Sequence, residues 1–370
     1  MQVETLRQRL RALGARPVHE QHLLRLWTRA LPLHTTTVRR PEHWLPAEVR
    51  AALPALQAEL NALARLRSAH PGADGSVRLL VDLGDGQAVE SVLLPRGGVC
   101  VSTQVGCAVG CVFCMTGRSG LLRQVGSAEI VAQVALARAQ RDVKRVVFMG
   151  MGEPSHNLDN VLEAIQLLGT AGGIGHKELV FSTVGDERAF ERLPTLDVKP
   201  ALALSLHTTD AELRARLLPR APRIAPDELV EAAERYARLT GYPVQFQWTL
   251  IEGVNDSDAE LAGIERLLKG KYAMMNLIPY NSVAELPYRR PAGERAAEMA
   301  RWLNRRGILT RLRNSAGQDV DGGCGQLRAR ALDGEAAVAV HRRRPAQQDL
   351  PTPAAAAATA AANTPQESAC

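Results

Sequence analysis

The feature that most constrains the fold is an alternation of strand-like and helix-like segments between about residues 99 and 312. Seven short apolar segments have the length of buried strands: Val99–Val105, Arg145–Met149, Glu178–Ser182, Ala201–Leu206, Val244–Ile251, Met274–Ile278 and Ile308–Leu312. Amphipathic segments of helical length lie between them: Ala128–Arg138, Asp159–Leu168, Pro226–Tyr236, Asp258–Leu268 and Gly293–Arg305. Because parallel strands need long crossovers, usually helices, this alternation predicts an α/β fold with a parallel sheet, either open or rolled into a full or partial barrel.

The first part of the chain has a helical pattern instead. Val3–Leu13, Gln21–Ala30 and Pro46–Leu66 carry apolar residues at intervals of three and four among Arg, Glu and Gln. This spacing places the apolar side chains on one face of a helix. We therefore expect a small helical accessory domain over residues 1–70.

A β-hairpin signal separates this region from the alternating segments. Val77–Asp82 and Ala88–Leu94 flank a Gly-Asp-Gly turn, which predicts a hairpin within residues 71–98 that leads into the core. The core is then expected over residues 99–344. Residues 345–370 contain ten Ala and four Pro, a composition that predicts a disordered tail.

Composition excludes several classes of protein. Aromatic residues make up 4% of the chain, which argues against a nucleic-acid module built on stacked aromatic platforms. Six cysteines in 370 residues are too few for a disulfide scaffold. We find no apolar run of about 20 residues and no secretory signal near Met1, so we expect a cytoplasmic protein without a membrane span.

The positive charge is concentrated in one region. The formal net charge is +6, and the segment Leu286–Arg344 alone has thirteen Arg, no Lys and six acidic residues. Such a segment either faces the phosphates of a nucleic acid or forms ordinary solvated helix faces. Arg289, Arg290 and Arg342–Arg344 are the candidates for phosphate contacts.

Three cysteines follow the first predicted strand of the core. Cys107, Cys111 and Cys114 have the spacing C-x3-C-x2-C. Three thiolates in one loop can hold three corners of an iron–sulfur cluster and leave one iron open to a small molecule. A zinc site with Cys100 as its fourth ligand, or a redox-active thiol pair, remains an alternative on spacing alone.

The triplet resembles the signature of the radical S-adenosylmethionine superfamily, and six segments in the same order resemble the RlmN/Cfr family of RNA adenine methyltransferases. These segments are Val99–Cys107, Gly150–Pro154, Ser205–His207, Gly253–Asp256, Asn276–Asn281 and Cys324–Leu327. The resemblance covers about residues 75–335. It implies a partial barrel of six β/α units, with a small N-terminal helical domain and the hairpin as extensions. It also implies methylation of an adenine ring carbon, C2 or C8, in ribosomal or transfer RNA.

The resemblance also implies roles for individual residues. Cys107, Cys111 and Cys114 would hold a [4Fe–4S] cluster. Cys324 would carry a methyl group, and Cys100 would release the product by forming a transient disulfide with Cys324. Glu90 would accept the ring proton, although its place in an alternating strand also fits a solvent-facing residue. The expected contacts to S-adenosylmethionine are Gly152, Glu153, Ser182, Ser205, Leu206, His207 and Asn281.

The family implies two S-adenosylmethionine molecules per turnover, an electron donor of the flavodoxin or ferredoxin type, and a monomeric enzyme. Three segments depart from the usual family pattern: Cys114–Arg123, Leu218–Pro222 and Phe246–Trp248. These departures put the identity of the RNA target in doubt more than the type of reaction. The rival hypothesis is a zinc-stabilised RNA-binding protein without radical chemistry.

Overall fold

The computed structural model describes residues 1–35, 44–118, 120–282, 286–313 and 325–329. Cys324, Cys370, Arg342–Arg344 and the expected tail at 345–370 lie outside the described residues, and the predictions made for them stay predictions. No helix among the described residues is long and apolar enough to cross a membrane.

The strands, in chain order, are β1 Ala64–Pro71, β2 Val77–Leu83, β3 Ala88–Leu94, β4 Gly98–Cys100, β5 Gln104–Gly106, β6 Leu121–Gln124, β7 Arg145–Phe148, β8 Leu179–Thr183, β9 Ala201–Ser205, β10 Val244–Leu250, β11 Ala273–Pro279 and β12 Thr310–Leu312. The helices are α1 Val3–Ala12, α2 Pro17–Thr28, α3 Ala47–Ala62, α4 Met115–Arg118, α5 Ser127–Arg138, α6 Leu158–Gly169, α7 Glu187–Arg192, α8 Ala211–Leu217, α9 Pro226–Thr240, α10 Asp258–Leu268 and α11 Gly293–Arg305. Short 3₁₀ turns lie at Pro154–Asn157, His176–Glu178 and Leu193–Thr195.

Ten of the strands form one sheet in the order β1-β2-β3-β4-β7-β8-β9-β10-β11-β12. The strands from β4 onward pair in parallel, and helices connect them, which gives six β/α units followed by a seventh parallel strand. The inner strands are buried on both faces; β8, for example, has no exposed residue. The predicted α/β class with a parallel sheet is therefore confirmed.

The N-terminal helices pack on this core. Val3, Leu6 and Leu10 of α1 belong to the same apolar cluster as the strands and helices of the sheet. The backbone N–H groups of Val3 and Glu4 donate to the Glu163 carboxylate at 3.2 and 2.7 Å, which satisfies the free N–H groups of the first turn of α1. The helical pattern ends earlier than predicted, at Ala62, because the following residues pair with β2 as an extra edge strand.

The predicted strand Val99–Val105 is split into β4 and β5. After Val101 the chain leaves the main sheet, and β5 pairs with β6 in a separate antiparallel ribbon. This ribbon brackets the cysteine loop. At Gly106 a Cβ atom would lie 1.9 Å from the carbonyl oxygen of Gly120, so only glycine allows the two strands to approach this closely.

Candidate active site

The cysteine loop, residues 107–114, lies between β5 and α4. The N–H of Cys107 donates to Gly120 O at 2.9 Å, and the N–H of Val112 donates to Leu217 O at 3.1 Å, so α8 and the ribbon hold the loop from two sides. Cys107 is buried, whereas Cys111 and Cys114 are half-buried. Burial, together with the charges of Glu153 and Cys114, raises the pKa of the Cys107 thiol to about 12.

The donor set of this loop fits an iron–sulfur cluster. Burial raises the pKa of Cys111, and the neighbouring Cys114 and Cys107 add to the rise, because three thiols share one small region. The described residues contain no group of three His, Cys, Asp or Glu side chains arranged around a single metal ion. A cluster does not require one, because each thiolate binds a different iron.

The turn after β7 places Glu153 beside the loop. Gly152 has a φ of +101°, and a Cβ atom there would lie 2.5 Å from Cβ of Gln104. Only glycine therefore allows the backbone at this position to approach Gln104 so closely. The Glu153 carboxylate is buried and accepts from Ser155 N at 3.1 Å, Ser155 Oγ at 2.7 Å and Val184 N at 3.0 Å. One acceptor position of Oε2 is left over for an ammonium group.

Arg214, which no sequence pattern singled out, lies next to Glu153. Its side chain is 4% exposed and donates to Val184 O and, at 3.3 Å, to Ser205 O. Burial lowers the pKa of its guanidinium to about 10, and the charges of Cys111 and Glu153 partly offset this. Its Nε has no partner among the described residues. A buried cation of this kind fits an anionic ligand beside the cysteine loop.

The ends of the parallel strands contribute polar groups to the same place. Ser182 is buried one residue before the end of β8. Ser205 is half-buried at the end of β9, and Leu206 and His207 follow it. Asn281 lies two residues after β11. Within the described residues, the buried polar atoms Gln247 Oε1, Asn276 Oδ1, Asn276 Nδ2 and Asn281 Nδ2 have no hydrogen-bond partner. Because buried polar groups are normally paired, these atoms indicate a ligand site that reaches from Asn281, after β11, to the register pair Gln247 and Asn276 in the middle of β10 and β11.

His207 supports the cysteine loop. Its backbone has a φ of +65°, its ring lies edge-on to Phe113 at 5.0 Å, and its Nδ1 accepts from the N–H of Thr249 at 3.0 Å. Burial lowers the pKa of His207 to about 3, and the charge of Arg214 adds to this. The imidazole is therefore neutral at physiological pH, with Nε2 carrying the proton.

We expect His207 to make the fold acid-sensitive. In the unfolded chain His207 binds a proton below about pH 6.5, whereas in the folded chain it stays neutral down to about pH 3. The free energy of unfolding therefore falls as the pH drops from 6.5 to 3. The loss is roughly 1.4 kcal/mol per pH unit. Denaturant titrations at several pH values should show a flatter pH dependence for His207→Gln than for the unchanged chain. His176→Gln is the control, and an equal flattening there would contradict this role.

Glu90 and Cys100 form a second part of the site. Glu90 is 3% exposed, so the solvent-facing alternative is wrong: the strand packs both of its faces. Its Oε2 lies 3.4 Å from Nη1 of Arg78, which is equally buried. Cys100 on β4 is also buried, and burial raises the pKa of its thiol to about 12, with opposing effects from Arg78 and Glu90. Arg78 was missed, although a lone Arg among apolar β2 residues is a usable signal.

The residues directly after Cys324 dock onto this second part. The N–H of Arg328 donates to Glu90 Oε1 at 2.9 Å, and its Nε donates to Ala88 O at 2.8 Å. Leu327 packs on the strands β2 and β3. Gly325 lies so close to Thr116 that a Cβ would be 2.6 Å from its hydroxyl oxygen. The segment after Cys324 therefore contacts both the Glu90 strand and the helix that follows the cysteine loop.

A hydrogen-bonded serine connects the two parts. The Ser102 hydroxyl donates to the carbonyl of Glu90 and accepts from the N–H of Met151 at 2.9 Å. The fold thus brings together the predicted cysteines, the residues at the strand ends, Glu90 and Cys100. Cys324 itself is not among the described residues.

Comparisons with known proteins agree with this geometry. Residues 101–263 match the model of the Radical SAM superfamily, which implies a [4Fe–4S] cluster and S-adenosylmethionine as cofactors. Proteins named probable RNA methyltransferase are 74% identical in Methylibium petroleiphilum, over 90% of this chain and 94% of the relative, and 66% identical in Pseudomonas aeruginosa, over 94% and 100%.

A solved structure gives the same result. A radical SAM methyltransferase from Sphaerobacter thermophilus is 34% identical and has a TM-score of 0.74, and the match covers 88% of this chain and 97% of that one. The high identity over nearly the full length of these proteins leaves one assignment. The chain belongs to the radical SAM superfamily, in the family of these probable RNA methyltransferases.

Proposed function

We propose that this protein methylates an adenine ring carbon, C2 or C8, of ribosomal or transfer RNA by the route of the RlmN/Cfr family. The observation that carries the proposal is the position of Glu90 and Cys100, buried together, with the segment after Cys324 docked on Glu90. The printed names of the relatives support RNA as the substrate. The choice between C2 and C8 is left to experiment.

The proposed cofactor site consists of Cys107, Cys111 and Cys114 for the [4Fe–4S] cluster. Bound there, the reduced cluster supplies the one-electron cleavage of S-adenosylmethionine that starts radical chemistry. Glu153 would accept from the ammonium group of S-adenosylmethionine through its remaining lone pair. The other proposed contacts are Gly152, Ser182, Ser205, Leu206, His207 and Asn281.

Two further cysteines are needed because a ring carbon bonded to hydrogen is a poor nucleophile. In the proposal Cys324 first takes a methyl group from one S-adenosylmethionine, and the radical made from a second molecule removes one hydrogen atom from it, so that the carbon can add to the ring. Glu90 then accepts the ring proton, and the unpaired electron left on the ring passes to an acceptor, for which the oxidised cluster would serve. Cys100 attacks the sulfur of Cys324, and the carbon–sulfur bond breaks as the disulfide forms. The released carbon keeps the electron pair and takes up a proton, and an external reductant restores both thiols.

The burial of Cys100 suits this late step. With a pKa of about 12 its thiol is protonated at neutral pH, so it does not attack before its proton is removed. We further propose a flavodoxin- or ferredoxin-type electron donor, a monomeric enzyme and a cytoplasmic location. The accessory domain at 1–70 and the hairpin at 71–98 would support the core at 99–344.

Replacing Glu90 with Gln should lower RNA methylation by about 10²- to 10⁴-fold, because the amide keeps the shape but cannot accept the ring proton. S-adenosylmethionine cleavage should persist. The change also takes the Glu90 charge away from buried Arg78, which costs up to about 3–5 kcal/mol, so unfolding must be measured alongside activity. Glu59→Gln, which removes the ion-pair partner of exposed Arg9, is the control. Wild-type methylation by a folded Glu90→Gln protein would exclude the proton-acceptor role.

Peptide mass spectrometry after incubation with methyl-labelled S-adenosylmethionine tests the proposal directly. We expect the label on Cys324 and on no other cysteine. Iron analysis of anaerobically purified protein should give about four irons per chain. A protein that binds RNA but contains zinc, lacks iron and leaves Cys324 unmethylated would instead support the zinc-stabilised RNA-binding alternative.

A further inference from the structure

A second concave site lies at the opposite end of the sheet from the cysteine loop. The cavity has a volume of about 500 Å³, and Arg29, Arg138, Arg141 and Lys144 line it. Its remaining walls come from the loops that precede β7 and β8, so it opens at the amino ends of these strands. Strands of four to five residues separate it from the catalytic end by roughly 15 Å.

The positive charge in this cavity is not neutralised. In the part of the chain that the structure describes, no carboxylate lies within ion-pair distance of Arg29, Arg138 or Arg141. The two acidic residues of the cavity have other partners: Asp142 pairs with Lys144 at 3.2 Å, and Glu178 pairs with Arg145 at 2.6 Å. Among its described lining residues the depression therefore has four basic and two acidic side chains, an excess of two positive charges.

Backbone contacts fix these groups in place. Arg138 donates to Thr28 O at 2.8 Å and to Gly172 O at 2.9 Å, which joins the end of α2 to the loop after α6. Arg141 donates to Gly75 O at 3.2 Å. Arg29 packs on Gly173, where a Cβ would lie 3.0 Å from Nη2. Concave cationic surfaces held in this way concentrate the field and favour an anion with several oxygen atoms.

The charge of the cavity and its distance from the cysteine loop favour an RNA phosphodiester as its ligand over an acidic redox protein. An electron donor has to approach the cluster, and the cysteine loop lies at the other end of the sheet. A folded RNA is large enough to contact both ends of a small enzyme. Gly172, Gly173 and Gly175 also line the cavity, and as glycines they place no side chain in it.

We propose that Arg29, Arg138, Arg141 and Lys144 form a second RNA-contact site that binds the phosphodiester backbone away from the catalytic centre. This inference rests on the proposed RNA methyltransferase function. The site orients the substrate RNA without reading its sequence, because phosphate contacts fix position and carry no base information.

The salt dependence of RNA binding tests this site. Fluorescence anisotropy with transfer RNA at several salt concentrations should give a slope about 1.4–1.8 smaller for Arg29→Gln/Arg141→Gln than for the unchanged chain. Arg138 is left in place because it joins two parts of the fold. The matched control, Arg192→Gln/Arg238→Gln, removes the same charge from arginines paired with Asp159 and Glu234, and should leave the slope unchanged.

Lysine acetylation of the unchanged protein gives a second readout that no folding defect can affect. Lys144 is 79% exposed, and Lys269, on α10's C-terminal side, is 70% exposed; both have one carboxylate partner. RNA should slow acetylation of Lys144 several-fold and leave Lys269 unaffected. Equal protection of both lysines, or of neither, would overturn the proposal.

The other outcomes separate the alternatives. If the unchanged chain binds no RNA, the proposed function itself fails; if it binds RNA and the double variant has the same slope, only the second site fails. If the variant keeps the RNA slope but loses stabilisation by inorganic phosphate, the cavity holds a small anion and the RNA assignment is wrong. If the variant keeps the salt slope of RNA binding but a flavodoxin-type donor reduces its cluster more slowly, the cavity binds the redox partner. That result would also contradict the proposal.

Discussion

Replacing Cys111 with alanine should give a folded chain that holds no [4Fe–4S] cluster and cleaves no S-adenosylmethionine. Cys111 lies between Cys107 and Cys114 in the loop, and the charges of both act on it. The other cysteine among the described residues, Cys100, is buried on β4 and cannot replace it without unfolding that strand. Two thiolates alone do not hold a cluster of this type.

Iron analysis, the visible absorption spectrum and 5′-deoxyadenosine formation measure this effect. Cys370→Ala serves as the matched control, since it removes one thiol from the expected tail, and it should keep full iron content. The far-ultraviolet circular dichroism of Cys111→Ala should match that of the unchanged chain. Normal iron content in a folded Cys111→Ala protein would contradict the assignment of the loop as the cluster site.

Replacing Cys100 with alanine should stop the reaction after a single turnover and leave RNA covalently attached to the protein. In the proposed reaction, the methyl carbon of Cys324 is bonded to the ring when Cys100 is needed to break the carbon–sulfur bond. Without that thiol, the adduct has no route to product. The substitution should leave β4 folded, because alanine is smaller than the buried cysteine side chain that it replaces.

Denaturing gels with radiolabelled RNA detect the adduct. The band should appear with Cys100→Ala, and it should be absent from the unchanged chain and from Cys100→Ala/Cys324→Ala. Mass spectrometry of the digested adduct should find the RNA fragment on Cys324. Repeated turnover by Cys100→Ala without an adduct would show that Cys100 is not the resolving thiol.

Local patterns predicted most elements of the fold. The seven parallel strands and the hairpin depend on runs of apolar residues and on a Gly-Asp-Gly turn, which need no knowledge of distant partners. The edge strand β1 and the split between β4 and β5 were missed. β1 is a strand only because β2 offers its edge, and the chain leaves the sheet after Val101 only because β6 pairs with β5.

The candidate site was predictable where its residues form a recognisable series, as in the cysteine loop and the turn at Gly152 and Glu153. Arg78 and Arg214 were not predicted, because an arginine is buried only where groups from distant parts of the chain pair with its charge or accept its hydrogen bonds. Arg78 needs Glu90 from the neighbouring strand, and Arg214 needs the carbonyl groups at the ends of β8 and β9. The basic cavity was missed for a similar reason, because Arg29 lies more than 100 residues before Arg138, Arg141 and Lys144 in the chain.

Anaerobic reaction with RNA and S-adenosylmethionine bearing a fully deuterated methyl group, followed by mass spectrometry of the nucleosides, tests the central claim most directly. We expect an adenine ring carbon to carry a methyl group with two deuterium atoms and one hydrogen atom. The reason is that the methyl group is first transferred to Cys324, where a radical removes one deuterium atom before the carbon joins the RNA. A fully deuterated methyl group on a ring nitrogen or a ribose oxygen, or RNA without any added methyl group, would contradict it.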